Sequence, residues 1–126
     1  MNPPVSNFRG ASGTNYSYYI FDLGFRPKDS QFGNYMFARQ SDEGHWVPVY
    51  IGQGDLKERI NDKRHVSLVR KKGATHILAR MNPNEQLRRV EEMDMLAGHP
   101  EACVPTGCNE NKSVKPAPLR VAQKRN

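Results

Sequence analysis

Runs of aromatic and β-branched residues, punctuated by Gly, Pro and Asp, fill the first half of this chain and read as strands. Residues 16–23, 35–40 and 46–51 are the first three. A loop over 24–32 containing Pro27 and Asp29 joins the first two, and a turn over 41–45 with Asp42 and Gly44 joins the next two. Connections this short predict an antiparallel meander, because a crossover between parallel strands needs more chain. Gly52-Gln53-Gly54 ends the third run, and Asp55 stands where a helix N-cap belongs, with Glu58 three residues on. The helix it opens carries Leu56, Arg59 and Ile60; another follows over 65–72 and stops at Gly73. A strand over 75–81 precedes the longest helix, which opens at Pro83-Asn84-Glu85 and runs to about Leu96. Within it Leu87, Val90, Met93 and Ala97 recur at helical spacing and predict the core-facing stripe. Strands first, then helix, strand and helix, give an α+β class: a small, mainly antiparallel sheet of three to four strands with helices packed on it.

Length changes this picture little, since 126 residues suit one domain. Residues 1–15 are polar and rich in Gly, Pro, Ser and Asn, which predicts a flexible N-terminal arm before a domain over 16–110. Residues 111–126 read as a basic, disordered tail. No stretch approaches the roughly 20 apolar residues of a membrane-spanning helix, and Met1-Asn2-Pro3-Pro4 lacks the pattern of an export signal. Cys103 and Cys108 make no disulfide framework. The expectation is a cytoplasmic protein with no membrane partner.

Charge is more telling. The formal net charge is +6, and Lys112, Lys115, Arg120, Lys124 and Arg125 supply five positive charges with no acid among them, leaving +1 for the rest. A second basic group, Lys57, Arg59, Lys63, Arg64, Arg70, Lys71 and Lys72, outnumbers Asp55, Glu58 and Asp62. Both groups point to a polyanionic partner. Cleaving a phosphodiester takes an activated water, neutralisation of the phosphoryl oxygens and help for the leaving oxygen, which a divalent ion, an arginine and a proton acceptor supply together. The candidates are Glu91 or Glu92 for the metal, Arg59 for the phosphate and Tyr35 or Tyr50 for the proton. Helical periodicity places Glu91 nearer the core face than Glu92.

Taken in order, these residues resemble a known family. Gly33-Asn34-Tyr35 and Tyr50-Ile51-Gly52 are similar to the two motifs of the GIY-YIG nucleases, with Asn34 in place of the apolar middle residue of the first. Leu56-Lys57-Glu58-Arg59 resembles the family's L-x-x-R element; Glu92 with Met95 and Leu96 resembles the helix that carries its metal-binding glutamate; Asn109 after Pro105 resembles its closing segment. The resemblance spans residues 33–109 and implies a GIY-YIG-like α+β fold and endonucleolytic hydrolysis of DNA. It implies one magnesium (or manganese) ion on Glu92, Tyr35 as general base, Tyr50 assisting, Arg59 on the scissile phosphate and Asn109 holding the site together. His65 lies six residues after Arg59, where the family often has a histidine at four, and is grouped with Lys57, Arg64, Arg70, Lys71 and Lys72 as nucleic-acid-binding. The alternative is a noncatalytic nucleic-acid-binding module on the same scaffold. A protein partner or a homodimer is compatible with the sequence but not readable from it.

Overall fold

In the computed structural model, which describes residues 3–110, the chain runs β1 (Val5–Arg9), β2 (Asn15–Asp22), β3 (Phe32–Gln40), β4 (Trp46–Asp55), α1 (Leu56–Ile60), α2 (Lys63–Lys71), β5 (His76–Met81) and α3 (Glu85–Gly98). A 3-10 turn at Pro100–Ala102 follows. The strands form one antiparallel sheet in the order β1-β2-β5-β3-β4, so the α+β class stands and the sheet has five strands rather than three or four. Side chains alternate across it. Tyr35, Phe37, Ile77 and Ala79 pack on one face with Leu56, Ile60 and Val69 from α1 and α2. Met36, Ala38, Ile51 and Leu78 pack on the other with Met95 and Leu96 from α3. Covered on both sides, β3 is buried from Gly33 to Ala38.

Three expectations are corrected. Part of the predicted loose arm is β1, whose Val5 pairs with Tyr19 and whose Arg9 pairs with Asn15. Its buried Phe8 packs edge-on against Tyr18, one apolar anchor in a polar segment and therefore a faint compositional signal. The tip between β1 and β2 is also fixed: Asp94 on α3 accepts hydrogen bonds from the Ser12 amide (2.8 Å), the Ser12 hydroxyl (2.7 Å) and the Tyr16 hydroxyl (2.8 Å). The basic tail lies outside the described residues.

Of the expected meander only the antiparallel β3–β4 pair forms. β5 lies between β2 and β3 and is antiparallel to both, so β2 and β3 run parallel. Residues 23–31 therefore return over the sheet without a helix, a crossover shorter than the dozen or so residues parallel strands normally need.

The third correction concerns α3. Leu87, Val90 and Met93 are 58, 57 and 53 % exposed, while Arg88, Glu91, Met95 and Leu96 face the sheet. Apolar content misplaced the stripe because two of the sheet-facing residues are charged and fully partnered. Arg88 donates to the Asn82 and Pro83 carbonyls and to Gln53 (each 3.0 Å), and its guanidinium lies 5.2 Å from the Phe32 ring centre. Glu91 accepts from the Tyr18 hydroxyl (2.6 Å) and Arg80 (3.1 Å). Satisfied this way, buried polar groups escape the desolvation penalty that otherwise keeps them outside. Among the described residues no helix is long and apolar enough to cross a membrane.

Candidate active site

The β3–β4 ladder creates the site. It pairs Tyr35 with Gly52 and Phe37 with Tyr50, and between Phe37 and Ala38 the register slips, so that β4 carries one residue too many. Such a bulge turns consecutive residues toward one face. Val49 and Tyr50 accordingly both pack on the α1–α2 side with Tyr35, at a ring separation of 6.2 Å for the two tyrosines. The ring of Tyr35 lies directly over Gly52, where a Cβ would stand 2.6 Å from its Cζ and from its hydroxyl. Gly33 is equally constrained, since a Cβ there would run into the Arg80 carbonyl. Asn34 points to the opposite face, where its amide donates to the Arg88 carbonyl (2.9 Å) and accepts from Asn82 (3.2 Å), tying β3 to α3. An apolar residue could make neither bond.

After β4, the Asp55 carboxylate caps α1 by accepting from the Lys57 and Glu58 amides, and Asp62 caps α2 through the Arg64 and His65 amides. The two short helices enclose a pocket of about 310 Å³ lined by Tyr35, Tyr50, Glu58, Arg59, Asp62 and His65. The His65 imidazole stands edge-on to the Tyr50 and Phe37 rings at 4.2 and 5.3 Å, and its Nε2 is buried without a hydrogen-bond partner among the described residues. Glu92 approaches from α3; it is outside those six lining residues, but its charge acts on Tyr35, Tyr50 and Arg59. Asn109 closes the far side. Its side chain accepts from the Ile51 amide (2.8 Å) and donates to the Ile51 carbonyl (2.9 Å), covering the open edge of β4 beside Tyr50.

Electrostatics follow from burial. Desolvation pushes the Tyr35 hydroxyl far above the ordinary phenol range, with Tyr50 adding to the rise and Arg59 opposing it. Burial and then Glu92 push Tyr50 up, again against Arg59. Burial raises the Glu92 carboxyl while Arg59 and Arg89 pull it down. Burial lowers His65, so its imidazole is neutral at pH 7. Against protein-family models, curated proteins and solved structures alike, the chain finds no match.

Among the sequence candidates, Tyr35, Tyr50, Arg59 and His65 share one pocket, and Asn109 braces the strand that carries Tyr50. Glu91 is engaged by Tyr18 and Arg80 on the sheet side, whereas Glu92 has no such partner among the described residues. The basic group divides. Lys57 is paired with Asp29 (2.6 Å) and Lys72 donates to the Pro105 carbonyl (2.7 Å), while Arg64, Arg70 and Lys71 stay exposed. Glu58 and Asp62 in the lining were not among the candidates, because an acid in a first helical turn and an N-cap aspartate carry the same sequence signal as any helix start.

Among the described residues no three His, Cys, Asp or Glu side chains converge as a metal cage. The two cysteines pack on opposite faces of the sheet, Cys103 with the α3 core and Cys108 against α2, where its thiol meets the Leu68 carbonyl. The donors at the pocket are instead isolated carboxylates and phenol oxygens around a wide cavity. That set suits magnesium, a hard ion that uses one or two carboxylates and keeps several waters of about 30 Å³ each.

Proposed function

We propose that this protein is a metal-dependent endonuclease hydrolysing DNA phosphodiester bonds through a GIY-YIG-type active site. The observation that carries the reading is the convergence of Tyr35, Tyr50 and Arg59 on one open pocket within the electrostatic reach of Glu92. In this reading Arg59, exposed on α1 and without an ion pair among the described residues, binds the scissile phosphate and balances charge developing on its oxygens. Glu92 holds a magnesium or manganese ion, which when bound supplies a Lewis acid for the phosphoryl oxygens and a more acidic water. Tyr35 and Tyr50 orient the attacking water through their hydroxyls, and Asn109 holds the Tyr50 strand in register.

The proton acceptor has two claimants. Tyr35 must first ionise, which its burial opposes and Arg59 favours. Burial keeps the His65 imidazole neutral at pH 7, and the residue lines the pocket with a buried Nε2 that has no hydrogen-bond partner among the described residues. A general base works best with a pKa near the operating pH, which favours His65 as acceptor, with Tyr35 passing the proton through its hydroxyl. A rate with an acid limb below the ordinary histidine range, lost in His65→Gln, identifies the histidine; a limb only at alkaline pH identifies a tyrosine.

The test of the function is incubation with supercoiled plasmid and magnesium. Nicking is expected, with loss in Glu92→Ala and retention in Glu91→Gln. No nicking over a range of ions and pH, alongside salt-dependent binding, would leave the noncatalytic binding module instead.

A further inference from the structure

The nine-residue crossover 23–31 does more than connect strands. The Asp22 carboxylate accepts from the Gly24 amide (2.8 Å) and the Asp22 carbonyl from the Phe25 amide (3.1 Å), which turns Phe25 back over β2. There its ring stacks on Phe21 at 3.8 Å and an interplanar angle of 7°. The far end is anchored by the Gln31 carbonyl, which accepts from the Leu56 amide (2.9 Å), and by the Asp29–Lys57 pair. Under this loop lies a pocket of about 240 Å³, distinct from the one holding the tyrosines. Phe21 and Phe25 form its aromatic wall, and Tyr19 and Met81, 47 and 52 % exposed, flank it. Arg26 and Lys28 stand exposed among its lining residues, and the acid of the loop, Asp29, is taken by Lys57.

An aromatic wall with two cations is the chemistry that receives a base and its phosphate. The size fits one ring system, being below the roughly 300–1,000 Å³ of pockets for drug-sized ligands. Its position fits as well. Leu56 lines this pocket and Arg59, three residues on along α1, lines the other.

We propose that the pocket under the crossover holds one unstacked nucleobase, with its phosphate on Arg26 and Lys28. That the ligand is part of a nucleic acid rests on the endonuclease reading. Unpairing is easiest at a bulge, mismatch or flap, so the pocket directs the enzyme toward DNA with an unpaired base near the cut.

Two measurements test this. Deoxyadenosine monophosphate, titrated into isotope-labelled protein, is expected to shift the amides of Tyr19, Phe25 and Met81, whereas deoxyribose 5-phosphate is not; Phe25→Ala weakens the response about tenfold or more. A duplex with one unpaired adenine is expected to bind about tenfold tighter than the fully paired duplex, a preference lost in Phe25→Ala and in Tyr19→Ser, whose exposed position spares the fold. Plasmid nicking by both variants stays near wild type. Absence of shifts at these amides, or a preference that survives both substitutions, overturns the proposal while intact nicking upholds the endonuclease. Shifts abolished by Phe25→Ala in a protein that cuts nothing uphold the pocket and overturn the endonuclease.

Discussion

Replacing Gly52 with alanine tests the geometry of the site with a single methyl group. Its Cβ would sit 2.6 Å from the Cζ and hydroxyl of Tyr35. Ordinary van der Waals contact begins near 3.4 Å, so the phenol must move by close to 1 Å. Tyr35 is buried and stands edge-on to Phe37, so any shift of its ring displaces it within the pocket it lines. Overpacking of this kind costs about 1–3 kcal/mol, or a fall in Tm of roughly 5–20 °C for a domain of this size. A displacement of 1 Å at a reacting group costs on the order of 100-fold in rate. Gly52→Ala should therefore fold, lose a few kcal/mol, and nick plasmid about 100-fold more slowly. The decisive comparison is with Tyr35→Phe and the double variant. Both single changes act through the same hydroxyl, so the double variant should cut no more slowly than Tyr35→Phe alone, a non-additivity expected of groups in contact. Rate losses that multiply, or a folded Gly52→Ala that cuts at the wild-type rate, would refute the claim that position 52 is small to seat Tyr35.

The two adjacent glutamates should separate cleanly. Glu91→Ala leaves the Tyr18 hydroxyl and Arg80 without their partner and should lower stability by about 3 kcal/mol in urea denaturation. Glu92→Gln should leave Tm unchanged or slightly higher, since burial already disfavours its charged form, while nicking falls more than 100-fold. Asn109→Ala removes both bonds to the Ile51 backbone and should cost about 2 kcal/mol, seen as faster amide exchange along β4. His65 gives a pH signature. Its folded pKa is below the ordinary 6.5, so the unfolded chain takes up the proton first. Stability should fall as pH drops below about 6.5, and His65→Gln should flatten that decline in Tm measured across pH.

How much of this was legible in the sequence depends on which residues carried the signal. Strand and helix positions were readable where apolar side chains do the packing, as in β3, β4 and β5, because burial there needs only the residue type. The topology was not, because the crossover depends on the hydrogen bonds of Asp22 and Gln31 to backbone amides, and a polar nine-residue loop looks alike whether it turns back or crosses over. The orientation of α3 was misread for a related reason. Hydrophobicity assigns the inward face to Leu87, Val90 and Met93, yet Arg88 and Glu91 go inward because Asn34, Gln53, Tyr18 and Arg80 supply partners that lie 11 to 73 residues away in the chain. That misread face has a consequence for the site. With Glu91 turned onto the sheet, its neighbour is rotated about 100° around the helix. Glu92 is thereby turned away from the partners of Glu91, and its charge acts on both tyrosines. The buried polar network that spoils the hydrophobic pattern of α3 thus also orients Glu92, whose carboxylate has no partner among the described residues, and Asn34, on the strand that carries Tyr35, is one of the groups that hold the helix at that angle. Asn34→Leu should accordingly slow cutting through Glu92, raising the magnesium concentration needed for half-maximal rate, whereas a change that merely loosened the core would lower Tm without moving that concentration.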